Sequence, residues 1–284
     1  MDEIKNDLRI PMEQPLDLVV IAVKKSALRC ITVTSNESIT FRKLRDEVEG
    51  EIITVKPSKV WRYKRTHYMT GEIISRRLDI PGLNLKPLAL TNMGPWDPQE
   101  EYRGEPDEPI DKYCKPILEY GVRESYEMEQ IIPLQDPEDF DSDPIVESSD
   151  CYSCGKVADA LKIMEKILTA DLRCLDAHAN LGNWDFDSEY RIEKAKRHYE
   201  VGVKIGELSF NDEFNGVLSW GHIDNRPYLR CLHGYGLTLW RLDKPEEARK
   251  IFNKILWLNP RDNQGIRFLL ADIDAGKTWQ ECTQ

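Results

Sequence analysis

The chain has 284 residues, of which 40% are hydrophobic and 31% charged, and its net charge is −11. That length holds about two domains, and that balance belongs to a folded globular chain rather than a disordered one. No apolar run approaches the ~18 residues of a membrane helix, and the acidic first ten residues are unlike a secretory signal, so a cytoplasmic protein without a membrane span is expected.

The seven cysteines are odd in number, and only Cys151 and Cys154 form a CxxC pair. A secreted disulfide framework is therefore not expected. Charge is uneven: residues 1–90 carry a net +4, residues 91–150 a net −14 and residues 151–284 a net −1. This division points to a small domain over 1–90, an acidic connecting segment over 91–142 and a larger domain over 143–284.

Residues 16–78 read as strands. Leu18 to Val23 is a short β-branched run, and Leu28 to Thr34 alternates. A turn at Ser35-Asn36-Glu37 leads to Ser38–Phe41, then come Glu51–Val55, stopped by Pro57, and Glu72–Ile74. Such spacing predicts a small antiparallel barrel of the OB or SH3-like kind.

Residues 81–147 hold ten of the sixteen prolines together with Trp96, Tyr102, Tyr113, Tyr120, Tyr126 and Phe140. Proline lacks a backbone donor and fixes φ, so long regular elements are not expected. The aromatic density favours an extended segment packed on both domains, with one short helix near Ile110–Glu119. A solvated acidic linker is the alternative.

From Asp143 the periodicity becomes helical and repeats. Gly155–Leu168 aligns without a gap on Asp243–Leu256 at a shift of 88, with seven of fourteen positions identical, among them Ala160/Ala248 and Ile167/Ile255. A third copy centres on Ala195, 35 residues after Ala160, with Tyr199 and Gly202 at the matching offsets. That spacing is close to the 34-residue period of the tetratricopeptide repeat. The last copy most resembles that family, with Gly236, Ala248, Phe252 and Pro260 at its small, aromatic and terminating positions. Leu172 and Glu207 depart from it where the proline would stand, and an insertion of about eighteen residues separates the second and third copies. The resemblance implies three helical hairpins over 143–284 with a capping helix at Asn263–Ile273, and a groove that binds a protein or peptide. The whole chain also resembles uncharacterised bacterial cytoplasmic proteins that join a small β domain to such repeats. WRYKRTHYMTGEI, WDPQEEYRGE, LRCLDAHANLG, WGHIDNRPYLRCLHGYGL and LWLNPRDNQGIRFLL carry that likeness. No activity follows from it.

Three stretches are candidate sites. Groove positions on the first helix of each hairpin are Asn180, Asn183, Trp184, Arg230, His233 and Leu237. The insertion Phe214–Tyr228 adds Trp220, His222, Asp224, Asn225 and Arg226, in a loop long enough to be functional; the plainer reading is an elaborate turn with Asp224 or Asn225 capping a helix that has Pro227 in its first turn. His222, Asp224 and His233 include metal-ligand types, but their spacing matches no zinc motif. The basic–aromatic stretch offers Lys56, Lys59, Trp61, Arg62, Tyr63, Lys64, Arg65 and Tyr68, a mixture suited to single-stranded nucleic acid. The plainer reading pairs those cations with the acidic segment 97–111. His178 sits among Ala177, Ala179 and Gly182 as a packing residue, and the CxxC falls at a hairpin turn. No GxSxG, Walker loop, GxGxxG or HExxH occurs, so no catalytic residue, metal or cofactor is expected. The leading expectation is a protein-interaction adaptor. The alternative is an RNA- or ribosome-associated factor acting through the β domain.

Overall fold

A computed structural model describes residues 10, 12, 14–24, 26–42, 46–101, 111–139 and 142–282. Tyr102, Phe140 and most of the acidic stretch 97–111 lie outside the described residues. The chain forms two compact units, one of residues 1–85 with 132–177 and one of residues 86–131 with 178–284. Among the described residues no helix is long and apolar enough to cross a membrane.

The first unit opens with strands β1 (Leu16–Lys24), β2 (Ala27–Thr32), β3 (Ser38–Phe41), β4 (Ile52–Tyr63) and β5 (Thr66–Arg77). They close into a barrel in the order β1-β2-β3-β5-β4. Alternate residues fill it, among them Leu18, Val20, Leu28, Cys30, Ile39, Phe41, Ile53, Val55 and Met69, as the period of two requires. The barrel is not wholly antiparallel as expected, because β3 runs parallel to β5. Nor does Pro57 end its strand. The β4–β5 ladder shifts register between Pro57 and Lys59, and that bulge absorbs the missing donor. Gly71 stands opposite, where a Cβ would come within 2.3 Å of the Lys56 carbonyl oxygen, so only glycine lets the two backbones approach there.

Strand β6 (Leu90–Trp96), helices α1 (Pro98–Glu101) and α2 (Lys115–Tyr120) and strand β7 (Arg123–Met128) follow, in the second unit. β6 and β7 pair antiparallel with a shift between Asn92 and Gly94. The proline-rich stretch thus holds a two-stranded sheet that its composition did not predict. Pro95 is tolerated because, among the described residues, β6 has no partner along its other edge.

The remaining helices are α3 (Pro144–Ser153), α4 (Val157–Ala170), α5 (Leu175–Phe186), α6 (Ile192–Glu207), α7 (Arg226–Arg241), α8 (Pro245–Leu258), α9 (Ile266–Asp274) and α10 (Trp279–Cys282). Asp143 caps α3, its Oδ1 accepting from the Ile145 amide at 2.7 Å. Hairpin α3–α4 lies in the first unit, where α4 packs beside β1 and Glu165 meets Lys24 at 2.8 Å.

The shift of 88 reappears in three dimensions. Ala160, Met164, Ile167 and Leu168 are the buried residues of α4, and their counterparts Ala248, Phe252, Ile255 and Leu256 are buried in α8. The turns match as well. The amides of Cys154, Gly155 and Lys156 donate to Asp150, Tyr152 and Cys151, and those of Leu242, Asp243 and Lys244 donate to Thr238, Trp240 and Leu239. Gly155 (φ 77°) and Asp243 (φ 60°) share the left-handed conformation that reverses the chain.

Helix spacing in the second unit rests on rings set against glycine. The Tyr199 ring of α6 lies between α5 and α7, and a Cβ on Gly182 or Gly234 would come within 2.6 or 2.2 Å of it. Phe252 meets Gly236, and Tyr228 meets Gly206, in the same way. Replacing Gly234 by alanine should cost about 1–3 kcal/mol, more than the gain in helix propensity returns. A fall in the urea midpoint at unchanged m-value would show it; an unchanged midpoint would refute the packing account.

Candidate functional site

The six predicted groove residues lie on α5 and α7 in the second unit. On α7 Arg226, Arg230, His233, Leu237 and Arg241 are incompletely buried and form a stripe at helical spacing, and Tyr235 is half-buried on another side of the helix. On α5, Asn180, Asn183 and Trp184 likewise escape full burial, whereas their neighbours Ala179, Leu181 and Asp185 are buried. Asn183 accepts a hydrogen bond from the Tyr199 hydroxyl at 2.6 Å. The guanidinium of Arg241 donates to the Phe186 carbonyl and lies over that ring, joining the ends of α7 and α5. The two helices therefore offer a mixed surface of arginine, asparagine, histidine, leucine and tryptophan.

The insertion is built into the sheet rather than left as a free loop. Val217 forms a parallel bridge to Ser125 of β7, its amide donating to Glu124 and its carbonyl accepting from Tyr126, both at 2.8 Å. Asn225 is fully buried. Its Oδ1 accepts from the Met128 amide at 2.7 Å, and its Nδ2 donates to the carbonyls of Tyr126 and Ser219. This corrects two expectations. Asn225 is not available to a partner, and it makes no side-chain cap to α7 although Pro227 stands in the first turn. Asp224 makes no such cap either. Trp220 is held by Arg226 and Arg230, whose guanidinium carbons lie 5.3 and 5.8 Å from its ring centroid. Arg226 also donates to the Trp220 carbonyl.

His222 and Asp224 are half-buried, and burial next to Glu127 raises the Asp224 pKa. Among the described residues no three His, Cys, Asp or Glu side chains gather as metal ligands, so His222, Asp224 and His233 do not form the site considered for them. Cys151 lies in the last turn of α3 and Cys154 at its C-terminal end, where the turn to α4 begins, both as free thiols. His178 is fully buried.

Arg123 was not singled out by the sequence. It is only 3% exposed, its guanidinium lies 5.2 and 4.2 Å from the Trp96 and Trp257 rings, and Nη1 donates to the Trp257 carbonyl at 2.7 Å. Burial lowers its pKa to about 10. A cleft of about 360 Å³ near the C-terminal ends of α6 and α8 has no sequence signal either. Phe210, Phe214 and Trp257 wall it beside the Glu207–Lys254 ion pair. No short motif marks these features, because each depends on residues far apart in the chain, Arg123 with Trp257 and Glu207 with Lys254.

The basic–aromatic stretch occupies β4 and β5. Trp61 and Tyr68 form a cross-strand pair with centroids 5.5 Å apart and planes 13° from parallel. Lys59 Nζ lies 5.7 Å from the Trp61 centroid, and the Arg42 guanidinium 5.7 Å from that of Tyr68. Lys64 and Arg65 are exposed at the hairpin tip beside Tyr63, which is 61% exposed. Lys56 is exposed on β4, and Arg62 donates to the Lys64 carbonyl.

A scan with protein-family models gives no match to the chain, and comparison with curated proteins gives none either.

The buried polar groups of this region make it sensitive to substitution and to acid. Asn225→Ala leaves buried backbone groups of β7 and the insertion without partners, so it should destabilise the fold by about 3 kcal/mol and speed proteolysis within 86–131; wild-type digestion kinetics would count against the linking role. Burial lowers the pKa of His233 to about 4 and holds that of His198 well below its usual value, Lys194 and Arg197 adding to the effect. Above about pH 6.5 both imidazoles are neutral whether the chain is folded or not. Below it the unfolded chain takes up protons that the folded one refuses, so stability should fall by up to about 1.4 kcal/mol per pH unit for each histidine. Denaturation curves at pH 7.5, 6 and 5 measure this. A flat pH profile, or one restored by neither His233→Asn nor His198→Asn, would contradict it.

Proposed function

We propose that the helical part of the chain is a tetratricopeptide-type array whose function is to bind a partner polypeptide rather than to catalyse a reaction. The observation that carries this reading is the hairpin repetition at a shift of 88. It extends from identical residues to matching buried positions, matching turn hydrogen bonds and the same left-handed turn residue. Helices that repeat in this manner expose the first helix of each hairpin on one side. The stripe Arg226, Arg230, His233, Leu237 and Arg241 on α7, with Asn180, Asn183 and Trp184 on α5, is the surface assigned to the partner. Trp220, His222 and Asp224 flank it, and Asn225 supports it from beneath.

A photo-crosslinking residue placed at Asn183 or Arg230 should capture a defined partner from cell extract, and the same residue at Lys204 on α6 should not. Arg230→Ala with His233→Ala should reduce recovery of that partner at least tenfold. Equal capture from both positions would remove the assignment of the binding face.

A further inference from the structure

We propose that the outward face formed by β4, β5 and the end of β3 binds single-stranded nucleic acid. Lys59, Trp61, Tyr68 and Arg42 form one row across that face, a cation over the outer side of each ring and the rings against one another. Such a row holds two positive charges at fixed positions, because each cation is attracted to the ring beneath it. Along β4, Lys59, Trp61 and Tyr63 point the same way at intervals of about 7 Å, which carries the row on to Lys64 and Arg65 at the hairpin tip.

The contrast along the hairpin is the argument for a ligand. Away from the tip, Arg77 meets Asp17 at 2.7 Å and Arg76 meets Asp46 at 3.4 Å, so the barrel neutralises those cations itself. No carboxylate among the described residues pairs with Arg42, Lys59, Lys64 or Arg65. A chain of net charge −11 has acids in excess, yet these four cations meet none of those described. They suit the phosphates of a polyanion.

The rings select which polyanion. Tyr63 is 61% exposed at the tip, with the Lys64 ammonium 5.7 Å from its ring centroid, and planar bases stack on exposed aromatic rings whatever their sequence. A duplex hides its base faces, so an unpaired strand is required. Ser58 and Thr70, on the same pair of strands, are hydrogen-bonded to each other at 3.2 Å.

Fluorescence anisotropy of the full chain with a labelled twelve-nucleotide oligouridylate RNA, titrated between 50 and 200 mM salt, tests this. Binding should weaken as salt rises, with a log–log slope of about −0.7 for each phosphate neutralised. Arg42→Ala and Lys59→Ala should each make the slope shallower by about 0.7. Tyr63→Ala should weaken binding about tenfold and leave the slope unchanged. All three side chains are exposed, and circular dichroism of each variant verifies the fold. Absence of binding at the lowest salt overturns the proposal. So does equal affinity for an RNA duplex or for a polyglutamate peptide of equal charge, or indifference to Tyr63→Ala.

Discussion

A ring laid against a glycine sets the helix spacing of the second unit. Tyr199 lies between Gly182 and Gly234, Phe252 against Gly236 and Tyr228 against Gly206. With no Cβ in the way, helices approach until the ring fills the space between them, and the resulting dispersion attraction is that of a close-packed interior. Everything on the far side of those helices follows from that approach. The faces that receive rings are spent in packing, and the stripe from Arg226 to Arg241 is among what α7 leaves incompletely buried.

A second constraint joins a sheet to the helices. β7 pairs with β6 on one edge and receives Val217 on the other. Asn225 then satisfies the backbone of β7 and of the insertion with one side chain. Buried backbone groups must find partners, and the carboxamide, as both donor and acceptor, supplies them where the ladder ends. Arg123 extends the same junction by meeting the Trp257 carbonyl between two indole rings. A segment rich in proline is thereby held in regular structure by residues remote in sequence.

The barrel manages its charge differently at its two ends. Arg76 and Arg77 pair with Asp46 and Asp17, whereas Lys59 and Arg42 rest on aromatic faces. An ion pair cancels a cation, but a cation–π contact leaves its charge in place. The hairpin β4–β5 can therefore keep a positive tip on an acidic chain.

Local pattern alone determined much of this molecule. Ala160, Met164, Ile167 and Leu168 recur at helical spacing, so the buried face of α4 and its copy in α8 are legible in the sequence itself. The barrel strands are legible as alternating β-branched runs, and the incompletely buried stripe of α7 follows from helical periodicity. Tertiary structure decided the rest. That Pro57 lies in a bulge depends on Gly71 across the ladder. That Asn225 is buried depends on β7, a strand remote from it in the chain. Which cations of β5 are paired depends on where Asp17 and Asp46 arrive. Hydrophobic periodicity is a property of neighbouring residues, so sequence displays it directly. Strand pairing, burial of a polar group and neutralisation of a charge require a distant partner, and only the folded chain brings that partner into place.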